Sequence, residues 1–295
     1  MLTAVLSLSG ALVFGAADFL GGLAAKRLGA VLATAVSALA GTVALAVAVP
    51  LLGGEWHVTD LFWGAAAGVV GAVAIALLYA CLAIGPMSIL SPLTALVSAV
   101  VPMAWGFLGG ERLGGLGYWA LGIALVAVVL VGFVPERGAV RPSLRGILMG
   151  IGSGAAIGAF FIIIDQTSAS SGLVPLAVNS AVTAVIMFAA VGVLALLRAS
   201  RRVPQPADLG AARAPVRTIA DLRLAAACGV VNAAANSLLL LGIRAGDLSI
   251  AAVLGAMYPA GTILLAALVL KERIAPVQWV GLVLALVAAG MLALA

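Results

Sequence analysis

The chain is predicted to be an all-α integral membrane protein, with ten transmembrane helices arranged as two inverted five-helix repeats. Three observations carry this. First, ten nearly uncharged stretches of about 18 to 25 residues follow one another. At about 1.5 Å per residue each is long enough for a bilayer core of about 30 Å. Second, the 295 residues are 65% hydrophobic and 8% charged, with mean hydropathy +1.30. A soluble domain carries roughly 25% charged residues, so no soluble reading survives. Third, the chain from Asp60 onward matches the chain from Asp221 onward at a constant offset of 161.

Under that offset Ser88-Ile89 falls on Ser249-Ile250 and Glu111-Arg112 on Glu272-Arg273. A second offset of 139 sets Gly15 on Gly154. Each half therefore holds five spans, residues 1–134 and 146–295. Five is odd, so the second half must enter the membrane in the opposite sense to the first. Inverted repeats of this kind are the common construction of secondary transporters, with substrate held near the midplane between the halves.

The spans of the first half are expected at 2–25, 31–52, 61–84, 88–108 and 117–134. The first lacks a basic segment ahead of its apolar run and reads as an uncleaved span. Ser7, Ala11 and Gly15 give it a stripe of small residues, and Asp18 stands about two-thirds of the way along. The second is free of charge. The third carries Gly64-x-x-x-Gly68, Tyr79 and Cys81, and the fourth is interrupted by Pro92 and Pro102 and closes on Glu111-Arg112. The fifth repeats in the tenth through Ala124-Leu-Val-Ala127 and Ala285-Leu-Val-Ala288.

The second half follows a polar break at 135–145, with spans expected at 146–164, 173–197, 222–243, 249–270 and 276–295. Glycines at 146, 150, 154 and 158 mark one face of the sixth span, where a neighbouring backbone can approach closely. The seventh carries Asn179. A long Arg- and Pro-rich break, 198–221, precedes the eighth, which holds Cys228, Asn232 and Asn236. Tyr258-Pro259 interrupts the ninth.

Chemistry within the spans is sparse. Asp18 is the foremost candidate, because an intramembrane carboxylate costs about 2.5 to 3.5 kcal/mol at a helix centre and normally faces a cavity, a partner or a proton path. The blander reading places it near the headgroups. Asn179, Asn232 and Asn236 offer uncharged donors and acceptors, either for a solute or for hydrogen bonds between helices. Tyr79 and Tyr258 are candidate walls with a polar edge, or packing residues. The expected substrate-binding set is thus Asp18, Tyr79, Asn179, Asn232, Asn236 and Tyr258, with Asp18 also the coupling residue.

Other chemistries find no residues to carry them. There is no phosphate-binding glycine loop ending in Lys-Ser/Thr and no zinc-ligand spacing. No catalytic residues, cofactor or metal are expected. Cys81 and Cys228 lie in spans and read as free thiols, and His57, the single histidine, lies in a short loop. The net charge of +5 does not point to nucleic acid, because its basic residues flank spans. Loops after odd-numbered spans hold 13 of them and the other side 2, which places the odd-numbered loops in the cytoplasm and both termini outside.

Phe14-Gly-Ala-Ala-Asp-Phe19 resembles the opening of the EamA family of the drug/metabolite transporter superfamily. So do Tyr258-Pro259 followed by Glu272-Arg273, and Trp279-Val-Gly281 opening the last span. The resemblance covers both halves and implies a ten-helix transporter that exports small metabolites or drugs, often by proton exchange. It also implies cytoplasmic termini, unlike the charge count. Two departures stand out: Ser98 occupies the place of Pro259 in the first half, and Asp18 replaces a neutral polar residue.

The expected function is export of small solutes across a bacterial cytoplasmic membrane by alternating access, with a small-molecule substrate, the lipid bilayer and protons as partners. The protein is expected to be a monomer or homodimer. An uptake permease, a membrane scaffold and a membrane enzyme are the alternatives.

Overall fold

The computed structural model describes residues 1–84, 87–132, 143–200, 218–269, 271 and 275–294. Every regular element among them is helical. The first half contributes α1 (Leu2–Leu28), α2 (Ala30–Leu52), α3 (Val58–Ile84), α4 (Met87–Leu108) and α5 (Gly115–Gly132). The second contributes α6 (Leu144–Asp165), α7 (Val174–Ser200), α8 (Ile219–Arg244), α9 (Leu248–Gly255), α10 (Tyr258–Val269) and α11 (Pro276–Leu294). Among the described residues eight segments are long and apolar enough to cross a bilayer, one of them running through α9 and α10. Two shorter apolar helices, Leu93–Leu108 and Pro276–Leu292, accompany them.

Helix ends follow local chemistry that hydropathy alone does not read. The eighth span was expected from residue 222, yet α8 starts three residues earlier because Thr218 and Asp221 form a reciprocal capping box. Ser143 caps α6 by accepting from the Gly146 amide at 3.1 Å. The prolines act unequally. Pro102 lies inside an unbroken α4, whereas the chain breaks between α9 and α10 immediately before Tyr258-Pro259. Proline cannot donate to the preceding turn, and here the helix restarts rather than bends.

Lipid tails are as apolar as leucine, so the bundle is held by close approach rather than by expulsion of water. The glycine stripe of α6 meets α4 in this way: a Cβ on Gly154 would lie 2.6 Å from the Thr94 carbonyl oxygen, and one on Gly158 would lie 2.8 Å from Val101 Cβ. Gly15 admits the backbone of α10 at Tyr258, and Gly64 and Gly68 admit α7. The main pairings are α1 on α8, α3 on α6, α4 on α6, α2 on α7 and α5 on α11. Leu90, Ile164, Leu176, Leu240, Leu254 and Met257 are fully buried among them.

The connections α2–α3, α4–α5, α6–α7 and α8–α9 gather at one end, here called the Glu111 end. Asp60 accepts from the Ser168 amide at 2.9 Å and from its hydroxyl. The Glu55 amide donates to the Ser170 carbonyl at 2.9 Å. Arg244 donates to the carbonyls of Gly172 and Ser168, each at 2.8 Å. At the opposite, Arg27 end, Arg27 pairs with Asp221 at 3.1 Å.

Candidate functional site

Asp18 sits deep within the protein and yet is accessible. Its helical face explains both facts. Ser7 and Ala11, two turns or more towards the Glu111 end on the same face, have no exposed surface. One turn the other way, nothing lies within 4 Å of the place a Cβ on Gly22 would occupy. This face of α1 thus leaves no room at Ser7 and Ala11, towards the Glu111 end, and leaves room at Gly22, towards the Arg27 end. Among the described residues no side chain or backbone group bonds or pairs with its carboxylate.

Three elements shape this space. On α1, Phe14 lies one turn from Asp18 and its ring stands 5.9 Å from the Tyr258 ring at a tilt of 53°. Tyr258 opens α10, which is tied to α1 by the Thr262 hydroxyl donating to the Gly15 carbonyl at 3.1 Å. Asp18 is within electrostatic reach of Tyr258 and of Cys228 on α8. The Cys228 thiol is free and buried, donating to the Ala17 carbonyl at 3.2 Å.

The asparagines divide between two seams. Cys228 meets Ala17 and Leu239 meets Gly10, so antiparallel α8 carries Asn232 about level with Phe14, one turn from Asp18 towards the Glu111 end. The Asn236 amide donates to the Asn232 carbonyl at 2.9 Å and to its Oδ1 at 3.3 Å. That leaves Asn232 Nδ2 and Asn236 Oδ1 without partners among the described residues, both on half-buried side chains. Asn179 belongs elsewhere, in the α3–α7 seam, with its Oδ1 close to Gly71. The side chains of Tyr79 and Cys81 lie outside the described residues, as do Glu272 and Arg273.

Above the site, α9 is a plug: every residue from Leu248 to Gly255 is buried. Glu111 fastens its first turn. One carboxylate oxygen accepts from the Leu248 amide at 2.8 Å, and the other accepts from the Ser249 amide at 3.2 Å and from the Ser249 hydroxyl. Three donors on one anion at a helix N-terminus make a strong charge-assisted cap. The sequence placed Glu111 at the close of the fourth span; its partners Leu248 and Ser249 were not readable. Phe14 was missed as a ring facing Tyr258, although its spacing of four from Asp18 was the available signal.

Two further carboxylates, Asp165 and Asp247, feel the charge of Glu111. Asp247 lies outside the spans, and burial, then Glu111, push its carboxyl above the ordinary range. The folded protein thus holds this proton more tightly than the unfolded chain does. The associated stability is present below about pH 4 and is lost as pH rises through the raised value. Asp247→Asn should accordingly raise the unfolding midpoint at neutral pH, with the gain fading below about pH 4 in a pH series of thermal melts.

A separate cleft of about 620 Å³ lies between α2 and α7, lined by Thr42, Ala46, Val49, Trp56, Ala177 and Ala181. It holds no titratable group and is continuous with the exposed apolar surface of Val43 and Val47, so it suits lipid tails better than a polar solute.

No curated protein matches the chain. A solved chain described only as a crystal structure of a protein superposes with a TM-score of 0.73 at 16% identity, covering 99% of this chain and 96% of its own. At that identity the likeness speaks to fold alone. The model of the EamA-like transporter family matches residues 144–294. Half of the chain lies within that match and the rest continues the same apolar helical bundle, so this multi-pass membrane protein belongs to the EamA-like transporter family.

Proposed function

We propose that the protein is a secondary active exporter of small metabolites or drugs in a bacterial cytoplasmic membrane, working by proton-driven alternating access. In this reading ten spans form two inverted units, 1–134 and 146–295, with α9 and α10 together making the ninth. The helix pairings support it. Under the offsets of 139 and 161, α1 on α8 corresponds to α6 on α3, and α2 on α8 to α7 on α3. Such reciprocity is what two inverted copies around one site would produce.

The observation that carries the reading is the accessible, unpaired Asp18 beneath a sealed Glu111 end. A scaffold has no use for an uncompensated carboxylate inside the bilayer, whereas a carrier needs one cavity open to one side at a time. The distribution of basic residues assigns the Arg27 end to the cytoplasm, which makes this the state that would load cargo for export. Asp18, Asn232, Asn236 and Tyr258 form the proposed site; Asn179, in the α3–α7 seam, stands apart from it, and the side chain of Tyr79 lies outside the described residues.

Thermal unfolding of the detergent-purified protein against amino acids, nucleosides, sugars and amines, at acidic and neutral pH, tests this. A solute that binds only the folded state raises the midpoint. The solute found should then support counterflow in proteoliposomes. Absence of counterflow with a solute that binds would sink the transporter reading.

A further inference from the structure

We infer that the cleft between α2 and α7 binds one phospholipid of the leaflet at the Glu111 end, with an acyl chain lying in the cleft and an ethanolamine headgroup held beside Glu55 and Trp56. None of the residues lining the cleft belongs to α1, α8 or α10, so this site is separate from the space beside Asp18.

The cleft has the wall and the length of a chain site. Thr42, Ala46 and Val49 share one face of α2, and Ala177 and Ala181 stand one turn apart on α7. Alanines at these positions leave a gap that larger side chains would fill. The Thr42 hydroxyl donates to the Ala38 carbonyl at 2.8 Å, so the polar group of the inner wall is already satisfied and asks nothing of an occupant. From Thr42 to Gly53 the helix rises about 17 Å. That is about half of a bilayer core of about 30 Å, the depth of one leaflet. The volume of about 620 Å³ falls within the range of about 300 to 1,000 Å³ usual for ligand pockets, and the outer edge meets the exposed Val43 and Val47. An empty cleft would forfeit the dispersion contacts of its lining, and at this depth the bilayer offers methylene groups and no water to restore them.

The mouth selects the head. It lies where α2 ends, at Gly53, Gly54 and Trp56. The terminal carbonyls of α2 and the Glu55 carboxylate make this rim negative. Glu55 is positioned by its amide, which donates to the Ser170 carbonyl at 2.9 Å. One of its carboxylate oxygens meets His57 Nε2 at 2.8 Å, and the other has no partner among the described residues. Trp56 is 64% exposed, as suits an aromatic ring at a membrane–water interface, and its ring N–H is a donor for a phosphate or ester oxygen. No Lys or Arg is among the described residues that line the cleft. Arg244, which grips the adjoining loop, donates to Gly172, Ser168, Thr167 and Ser171. A primary ammonium beside Glu55 and a phosphate beside Trp56 match this order of charges. A headgroup with net negative charge finds no cation for its surplus and faces the negative end of α2.

The test uses the full-length protein, stripped of lipid in detergent, with native mass spectrometry to count bound lipid. One equivalent of dioleoylphosphatidylethanolamine should bind saturably, about two- to fivefold more tightly than dioleoylphosphatidylglycerol, the range expected of an exposed ion pair. Glycerophosphoethanolamine, the head without its chains, should not bind. Glu55→Gln should bring the two lipids to equal affinity and still bind one equivalent. Ala181→Phe, which fills the cleft from α7, should remove saturable binding of both, with an unfolding midpoint in lipid-free detergent near that of the wild type. Ala46→Leu obstructs the same cleft from the exposed side of α2 and should act alike if the first variant does not fold. Equal affinity of the wild type for the two lipids, a preference for phosphatidylglycerol, binding that climbs without saturation, or undiminished binding in a folded cleft-filling variant would overturn the assignment.

Discussion

Asp18→Asn is expected to abolish pH-driven solute accumulation in proteoliposomes while leaving the folded bundle intact. Asparagine fills the same volume and keeps one acceptor, so the packing of α1 on α8 and α10 has no reason to change. What disappears is the carboxylate, the one acidic side chain beside Cys228 and Tyr258 among the described residues. For exchange of one proton per solute, a one-unit pH gradient supports at most about tenfold accumulation. In the Asn variant the solute should reach no more than its equilibrium distribution, whatever the gradient. Accumulation equal to wild type would remove Asp18 from the coupling mechanism. Near-normal unfolding temperature in the same preparation would show that the loss is functional.

Glu111→Ala should open the Glu111 end. The variant leaves the Leu248 and Ser249 amides and the Ser249 hydroxyl without their anion, at the first turn of a helix in which every residue is buried. Bonds to a charged partner contribute about 1.5 to 3 kcal/mol each, so the seal should weaken by at least about 3 kcal/mol. Glu111→Gln retains an acceptor and should lie between the two. A cysteine placed at Ala11, in a background with Cys81 and Cys228 replaced, reports the result through a membrane-impermeant thiol reagent. Ala11 has no exposed surface, so labelling from the Glu111 end should be slow with Glu111 present and fast in the Ala variant. Unchanged labelling would mean that packing of α9, and not its cap, closes that end.

The candidate site was legible in part. Asp18 stood out because a carboxylate is costly in a span wherever it points, and Tyr258 because the proline beside it removes a helix hydrogen bond. Asn232 and Asn236 were visible as polar residues one turn apart, and the structure adds that they bond to each other and keep one donor and one acceptor free. Asn179 shows the limit. It carries the same amide, in an equally apolar helix, but packs against the glycines of α3. Nothing in its local sequence separates these fates, since both satisfy the rule that a polar group in a bilayer needs a partner.

The sequence by itself determined that this chain is a bundle of membrane helices, where those helices run to within a few residues, and that a single carboxylate stands inside them. Those properties follow from what each segment costs in lipid, which is a sum over residues near one another in the chain. The tertiary structure decided which end is closed and what Asp18 faces. Glu111 and Ser249 are 138 residues apart, and Phe14 and Tyr258 farther still. A seal or a pocket wall is a contact between surfaces, and glycine stripes of similar appearance on α1, α3 and α6 are directed to different partners only once the bundle has packed.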